Sequence, residues 1–408
     1  MKINIDKFLF NSLIVLITLK LLLSYLSVEL GWWQRHLTPN VVKFNPLHLP
    51  ENITKILEYM IIPILIIFIT KNYRYLSKLK KLIYIGILMS MLNIFTGFYN
   101  GIDLIKSLEY TLKLMAPVLL FVCIVIQHDK YKFDIKKLTK NLLILCTILT
   151  LIGYLIFDRS YNHDKLWLPI YFASVHTHSY VLVIIGMGFS YFLYQNQKYF
   201  SFLIFVFLYL VFLYFGHRIR TPMIFFLIYV VFVSSSINNF FKVLWIKLVF
   251  FIPIFAVLFI LIKQDININE FSSGRLVMYE AKYEMLKGYS PMEYLLGRGK
   301  GSDFITTDYW VYEDKNSHND LLTFLVENGV IYALLFLFLL FSLITLNGRK
   351  INIIFSGVVL AYLAASLLSN GLTIRPVASY LLFVVMAYMF LCIKDRKERV
   401  QNNITCHE

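Results

Sequence analysis

Residues 199 to 215 read YFSFLIFVFLYLVFLYF, seventeen positions without a single charged side chain. As a helix this run rises about 25 Å, which with its flanks matches the roughly 30 Å of hydrocarbon in a bilayer. Runs of similar character recur near residues 8 to 28, 53 to 70, 82 to 99, 108 to 126, 141 to 157, 179 to 195, 221 to 236, 243 to 262, 322 to 346, 351 to 370 and 376 to 393. The expected architecture is therefore an all-α polytopic integral membrane protein of about 12 transmembrane helices. Its organisation reads as helices 1 to 9 in residues 1–262, a large polar loop containing short helices at 263–321, helices 10 to 12 in 322–393, and a tail at 394–408.

Composition agrees with that reading. Of 408 residues, 59% are apolar and only 15% charged, against about 45 to 50% and 25% in a soluble domain. A soluble enzyme, a disordered chain and a fibrous protein are excluded. The net charge of +15 sits in short loops between apolar runs, where basic residues orient helices and face anionic lipid, so no nucleic-acid partner is expected. Cys123, Cys146, Cys392 and Cys406 imply no disulfide framework. The first apolar run has no small-residue cleavage site and reads as a membrane helix.

With the N-terminus placed inside, the inner segments carry 20 Lys and Arg and the short outer loops 8. That asymmetry puts both termini in the cytoplasm. Arginine departs from the trend, because 7 of the 11 arginines lie on the disfavoured outer side. A guanidinium grips phosphate or carboxylate with two parallel N–H bonds, which an ammonium cannot do. Arg218, Arg220, Arg275 and Arg298 are accordingly candidate anion ligands, whereas Arg35 and Arg159 fit an interfacial role. His176 and His178 have no Cys or carboxylate nearby in sequence and read as solvated loop histidines. Lys20 is an intramembrane charge with no evident partner.

Chemistry on the outer face is expected in segment 263–321. Ser272 and Ser273 can cap a helix that runs to Lys287, where Gly288 and Pro291 close it. Leu276, Tyr279, Tyr283 and Leu286 supply its apolar stripe. Arg275 falls at the positive end of that helix, a position that favours an anionic neighbour. Gly297, Gly299 and Gly301 alternate with Arg298 and Lys300, so the backbone there can turn sharply or approach a ligand closely. His318, just before the tenth run, is a candidate general base for a sugar hydroxyl. Glu313 and Asp314 are adjacent carboxylates, but neighbouring side chains do not ordinarily converge, and no metal is expected.

These residues resemble the O-antigen ligase and polymerase superfamily of bacterial surface-polysaccharide assembly. The matching pattern is Ser273-Gly274-Arg275, then Pro291 with Gly297, Gly299 and Gly301, then His318-Asn319-Asp320-Leu321-Leu322-Thr323-Phe324-Leu325-Val326-Glu327-Asn328-Gly329, with Arg218 or Arg220 at an earlier helix end. Tyr332 stands where members often carry another glycine. The resemblance implies a GT-C-like, metal-independent, inverting glycosyltransferase of the bacterial inner membrane, with its site on the periplasmic face and no cofactor. Its donor and acceptor would be undecaprenyl-diphosphate-linked glycans, in contact with membrane lipid and with chain-length regulator and flippase proteins. His318 would be the base, with Arg275 and Arg220 stabilising the diphosphate and Arg218 and Arg298 as further contacts. A polymerase is the leading expectation, with an O-antigen ligase or a flippase as alternatives; the scarcity of mid-span charge weighs against transport.

Overall fold

The computed structural model describes residues 4–27, 53–156, 160–163, 166–216, 220–237, 274–308, 314–347, 352–368 and 371–405. Along the chain the helices are α1 (Ile5–Leu26), α2 (Ile53–Lys71), α3 (Lys80–Tyr99), α4 (Leu104–Tyr131), α5 (Ile135–Ile156), α6 (Val175–Gln195), α7 (Tyr199–Gly216) and α8 (Arg220–Ser235). They continue as α9 (Arg275–Lys287), α10 (Pro291–Leu296), α11 (Asp320–Ile344), α12 (Ile353–Leu368) and α13 (Pro376–Thr405). Strands β1 (Ser160–His163) and β2 (Leu166–Pro169) form an antiparallel hairpin with Ser160 opposite Pro169, a small departure from the all-helical expectation. A lone bridge joins Ile305 and Lys315.

Among the described residues, eight helices are long and apolar enough to cross a membrane: Ile5–Leu26, Lys80–Tyr99, Thr111–Tyr131, Ile135–Ile156, Val175–Gln195, Tyr199–Gly216, Asp320–Ile344 and Pro376–Lys394. Thr221–Ser235 and Ile353–Leu368 are shorter apolar helices. Lipid offers no partner for a bare backbone, so closed helical hydrogen bonding is what lets such segments span. The protein is a multi-pass α-helical membrane protein. The expected run at 243 to 262 lies outside the described residues, as do Arg35 and Arg159.

The chain divides into two compact units. The first comprises Met1–Leu79, Met115–Phe226 and Arg375–Glu408. Here α6 is buried almost all round and packs against α5, α7 and α13, as a helix without a polar face must. Peripheral α7 buries only Phe202, Val206 and Leu213 and exposes Phe200, Phe207 and Phe215. Lys20 does have a partner: its Nζ lies 3.0 Å from Glu58 of α2, both nearly buried, with the Tyr380 hydroxyl donating to the same carboxylate at 3.5 Å. His178 is also unlike its expectation. It sits in the first turn of α6, fully buried, stacked on Phe172 and edge-on to Tyr171.

The second unit comprises Lys80–Leu114 and Leu227–Ile374 and is built around α11, which packs against α3, α10 and α12. Tyr332 of α11 is fully buried, its hydroxyl 2.7 Å from Thr111 Oγ1, which also accepts from Asn93 Nδ2 at 2.7 Å. Position 332 is thus filled by a ring with a satisfied hydroxyl. Inside α11, Gly329 leaves helical geometry at φ 79°, ψ 175° and breaks the helix.

Candidate functional site

Of the candidate residues of the second unit, Arg275 and His318 lie at the ends of α9 and α11, with Arg275 against the end of α12. Helix α9 is capped by Gly274 in left-handed conformation, with no side-chain capping bond, and ends at Gly288. Ser272 and Ser273 lie outside the described residues. The buried face of α9 is Met278, Lys282 and Leu286. Of the expected stripe of Leu276, Tyr279, Tyr283 and Leu286, which could lie on the membrane surface or pack on the bundle, Leu286 packs inward while Leu276 and Tyr283 are exposed. The spacing is helical either way, but a lysine takes the central buried position because it finds a carboxylate there.

Arg275 opens α9 and donates from Nη1 to the Leu368 carbonyl at 2.5 Å. Leu368 ends α12, so the guanidinium offsets the negative end of that helix's dipole. One turn on, burial, only partly offset by Arg275 and the Asn319 side chain, raises the Tyr279 phenol above the usual range. Asn319 caps α11 by accepting from the Leu322 N–H at 3.1 Å, and Asp320 accepts from the Gly371 N–H at 3.1 Å. The first turn of α9, carrying Arg275 and Tyr279, thus shares a corner with the Asn319 cap that follows His318. His318 is partly buried and holds φ 49°, a left-handed backbone costing a non-glycine residue about 1 to 2 kcal/mol.

The glycine run packs closely against α11. Helix α10 starts with a capping box, in which Ser290 Oγ accepts from the Glu293 N–H at 3.3 Å and Glu293 Oε2 accepts from the Ser290 N–H at 2.7 Å. It stops at Gly297, φ 76°. From there the chain lies against the break in α11: the Arg298 N–H donates to the Val326 carbonyl at 3.1 Å, and the Gly299 N–H to the Glu327 carbonyl at 2.8 Å. A Cβ on Gly297 would fall 2.3 Å from the Glu327 carbonyl carbon, and one on Gly329 2.2 Å from the Leu295 oxygen. The glycines let two backbones touch. Gly301 N–H then donates to Oε1 of Glu327 at 2.8 Å, while Oε2 of this fully buried carboxylate has no hydrogen-bond partner among the described residues.

The basic residues between the glycines are engaged. Arg298 Nε lies 2.8 Å from Glu293 Oε1, with the guanidinium 4.2 Å from the Tyr289 ring centre. The Ser290 N–H and then Arg298 hold the Glu293 carboxyl at about 2, well below the usual carboxylate range. Lys300 pairs with Glu109 at 2.5 Å, and burial pushes its ammonium below the usual range. Arg298 thus sits beside Val326 with Nε committed to Glu293, not in the corner of Arg275. Arg220 opens α8 and its side chain lies outside the described part, as do Arg218 and Glu313 altogether. Among the described residues no group of three or more His, Cys, Asp or Glu is placed to hold a metal.

Beneath the corner lies a cluster no motif announced. Lys282 and Asp303 are fully buried with Nζ 3.1 Å from Oδ1, and Lys282 also donates to the Asp303 carbonyl. Burial pushes the Lys282 ammonium below its usual range, against the pull of Asp303. The only sequence signal was Lys282 falling midway between Met278 and Leu286.

No family model matches the chain, and neither a curated protein nor a solved structure matches it.

Proposed function

We propose that this chain is a membrane glycosyltransferase that polymerises undecaprenyl-diphosphate-linked oligosaccharide repeat units of a bacterial surface polysaccharide. In this reading it is a GT-C-like protein of about twelve spans in the inner membrane, with both termini cytoplasmic and its site at the periplasmic face. The observation that supports the reading is that Arg275 opens α9 beside the Asn319 cap of α11, which directly follows His318. The transfer calls for a guanidinium at the diphosphate and a base at the acceptor, and these two residues are of those types.

In the reaction an acceptor hydroxyl oxygen attacks the anomeric carbon of the donor. Its proton passes to the His318 imidazole, and the anomeric C–O bond breaks toward the diphosphate, inverting the centre. Arg275 stabilises the charge growing on that diphosphate. The sequence resemblance adds Arg218 and Arg220 as further diphosphate contacts, whereas Arg298 has its Nε on Glu293.

The test is the glycan pattern of a deletion strain complemented with wild type or His318→Ala. Loss of polymer, leaving core with a single repeat unit, is expected for His318→Ala. A wild-type ladder from His318→Ala removes the base. Finished polymer stranded on the lipid carrier in the deletion strain would make the chain a ligase, and repeats trapped on the cytoplasmic side a flippase.

A further inference from the structure

One buried carboxylate, Asp303, bonds to residues on both sides of His318 in the chain. Asp303 Oδ2 accepts from the Ser317 N–H at 2.9 Å and from Thr323 Oγ1 at 2.6 Å, while Oδ1 accepts from Ser317 Oγ. Ser317 immediately precedes His318, and Thr323 lies in the first turn of α11 that follows it. Lys282, Asp303 and Ser317 are all fully buried, and Thr323 nearly so. The neck of the loop between Asp303 and Ser317 is closed a second time by the Ile305 and Lys315 backbones, which exchange bonds of 3.2 and 2.9 Å.

Loop packing alone does not require a charge here. A buried ion pair carries a desolvation cost that well-packed apolar residues of the same volume avoid, and its best-attested use is fixing one arrangement among several. An ionised carboxylate can accept about four hydrogen bonds at once, and Asp303 uses that capacity on both flanks of a residue whose left-handed backbone needs holding. Lys282, anchored on α9 two turns after Arg275, supplies the opposite charge and ties the loop to the helix that also carries the candidate diphosphate ligand.

We propose that Asp303 and Lys282 are positioning residues that set the His318 imidazole against the acceptor hydroxyl, acting through Ser317 and Thr323 without touching substrate. The proposal rests on the reading of His318 as base, and the experiment separates the two. Full-length protein in membrane vesicles from the deletion strain is supplied with that strain's own extracted lipid-linked repeat units, and kcat and KM are measured per folded molecule. Asp303→Asn is expected to lower kcat about 100-fold, as a misplacement near 1 Å does, with KM unchanged.

Because Asp303→Asn leaves Lys282 without its carboxylate and risks misfolding, Ser317→Ala is the second variant. It keeps the backbone N–H bond and loses only the hydroxyl, so a drop of about tenfold in kcat is expected, with Ser317→Thr restoring the rate. A wild-type kcat in Ser317→Ala, or a loss expressed in KM at constant kcat, overturns the positioning role while leaving His318 as base. A wild-type kcat in His318→Ala sinks the reading itself and this proposal with it.

Discussion

Among the described residues, two buried ion pairs have nearly the same geometry and quite different surroundings. Lys20 and Glu58 meet at 3.0 Å between two apolar helices, with a long hydrogen bond from Tyr380 to the same carboxylate. Lys282 and Asp303 meet at 3.1 Å under a loop, and Asp303 accepts three more hydrogen bonds there. The first pair fixes which faces of α1 and α2 oppose each other. The second fixes a loop against a helix end, where backbone geometry has to be over-determined to stay put. Charge inside a membrane protein thus serves register in one place and aim in another.

The loop side of that comparison breaks most completely at Gly297. Its φ of 76° and a would-be Cβ 2.3 Å from backbone carbon of α11 leave no room for any side chain. Gly297→Ala is expected to cost well over ~4 kcal/mol, the range in which a protein ceases to fold, read as loss of the monodisperse species in detergent. Gly301 is the control. Its φ is 99° but nothing lies within 4 Å of its would-be Cβ, so Gly301→Ala should cost only about 1 to 2 kcal/mol. Equal losses at the two positions would mean that backbone conformation, not the close approach to α11, is what these glycines provide.

That difference between Gly297 and Gly301 also marks how far the sequence could be read. Eight of the membrane-crossing helices were legible because lipid forces long apolar runs, and the end of α9 because Gly288 and Pro291 punctuate it. The alternating glycines announced a close approach. They could not announce that the approaching surface is a break in α11, because Gly329 inside an apolar run looks like any helical glycine. Lys282 misled the amphipathic reading of α9: periodicity scores a lysine as outward-facing, and Asp303, its partner twenty-one positions away, bears no local sign. The left-handed backbone of His318 was equally hidden, since Asp303, which bonds Ser317 before it and Thr323 after it, lies fourteen or more positions away.

The helix side breaks at Glu58. Glu58→Leu takes the carboxylate from Lys20 within the apolar bundle, and a loss of about 3 kcal/mol is expected. Lys20→Met with Glu58→Leu should recover most of it, because an apolar pair of similar volume carries no desolvation cost. The check is thermal unfolding of the three proteins in the same detergent. A double variant as unstable as Glu58→Leu alone would show that the site is held by shape and not by charge pairing.

The smallest effect belongs to the exposed pair, Glu293 with Arg298, which sharpens the comparison by removing burial from it. Glu293→Gln retains the capping box, since an amide oxygen also accepts from the Ser290 N–H, and loses only the charge facing Arg298. The carboxyl of Glu293 is depressed from an ordinary 4.5 to about 2 by the Ser290 N–H and then by Arg298. A group whose folded value is lowered contributes its stability fully above the unfolded value, and that contribution disappears as pH falls through the folded value. The wild type should therefore be slightly more stable than Glu293→Gln at pH 6, with the gap closing between about pH 4.5 and pH 2. Solvent screens so exposed a pair, so the gap itself should be small and should shrink further in high salt. A gap that persists unchanged to pH 2 would mean Glu293 acts through the shape of its cap, leaving charge to matter only where Asp303 and Glu58 carry it out of water.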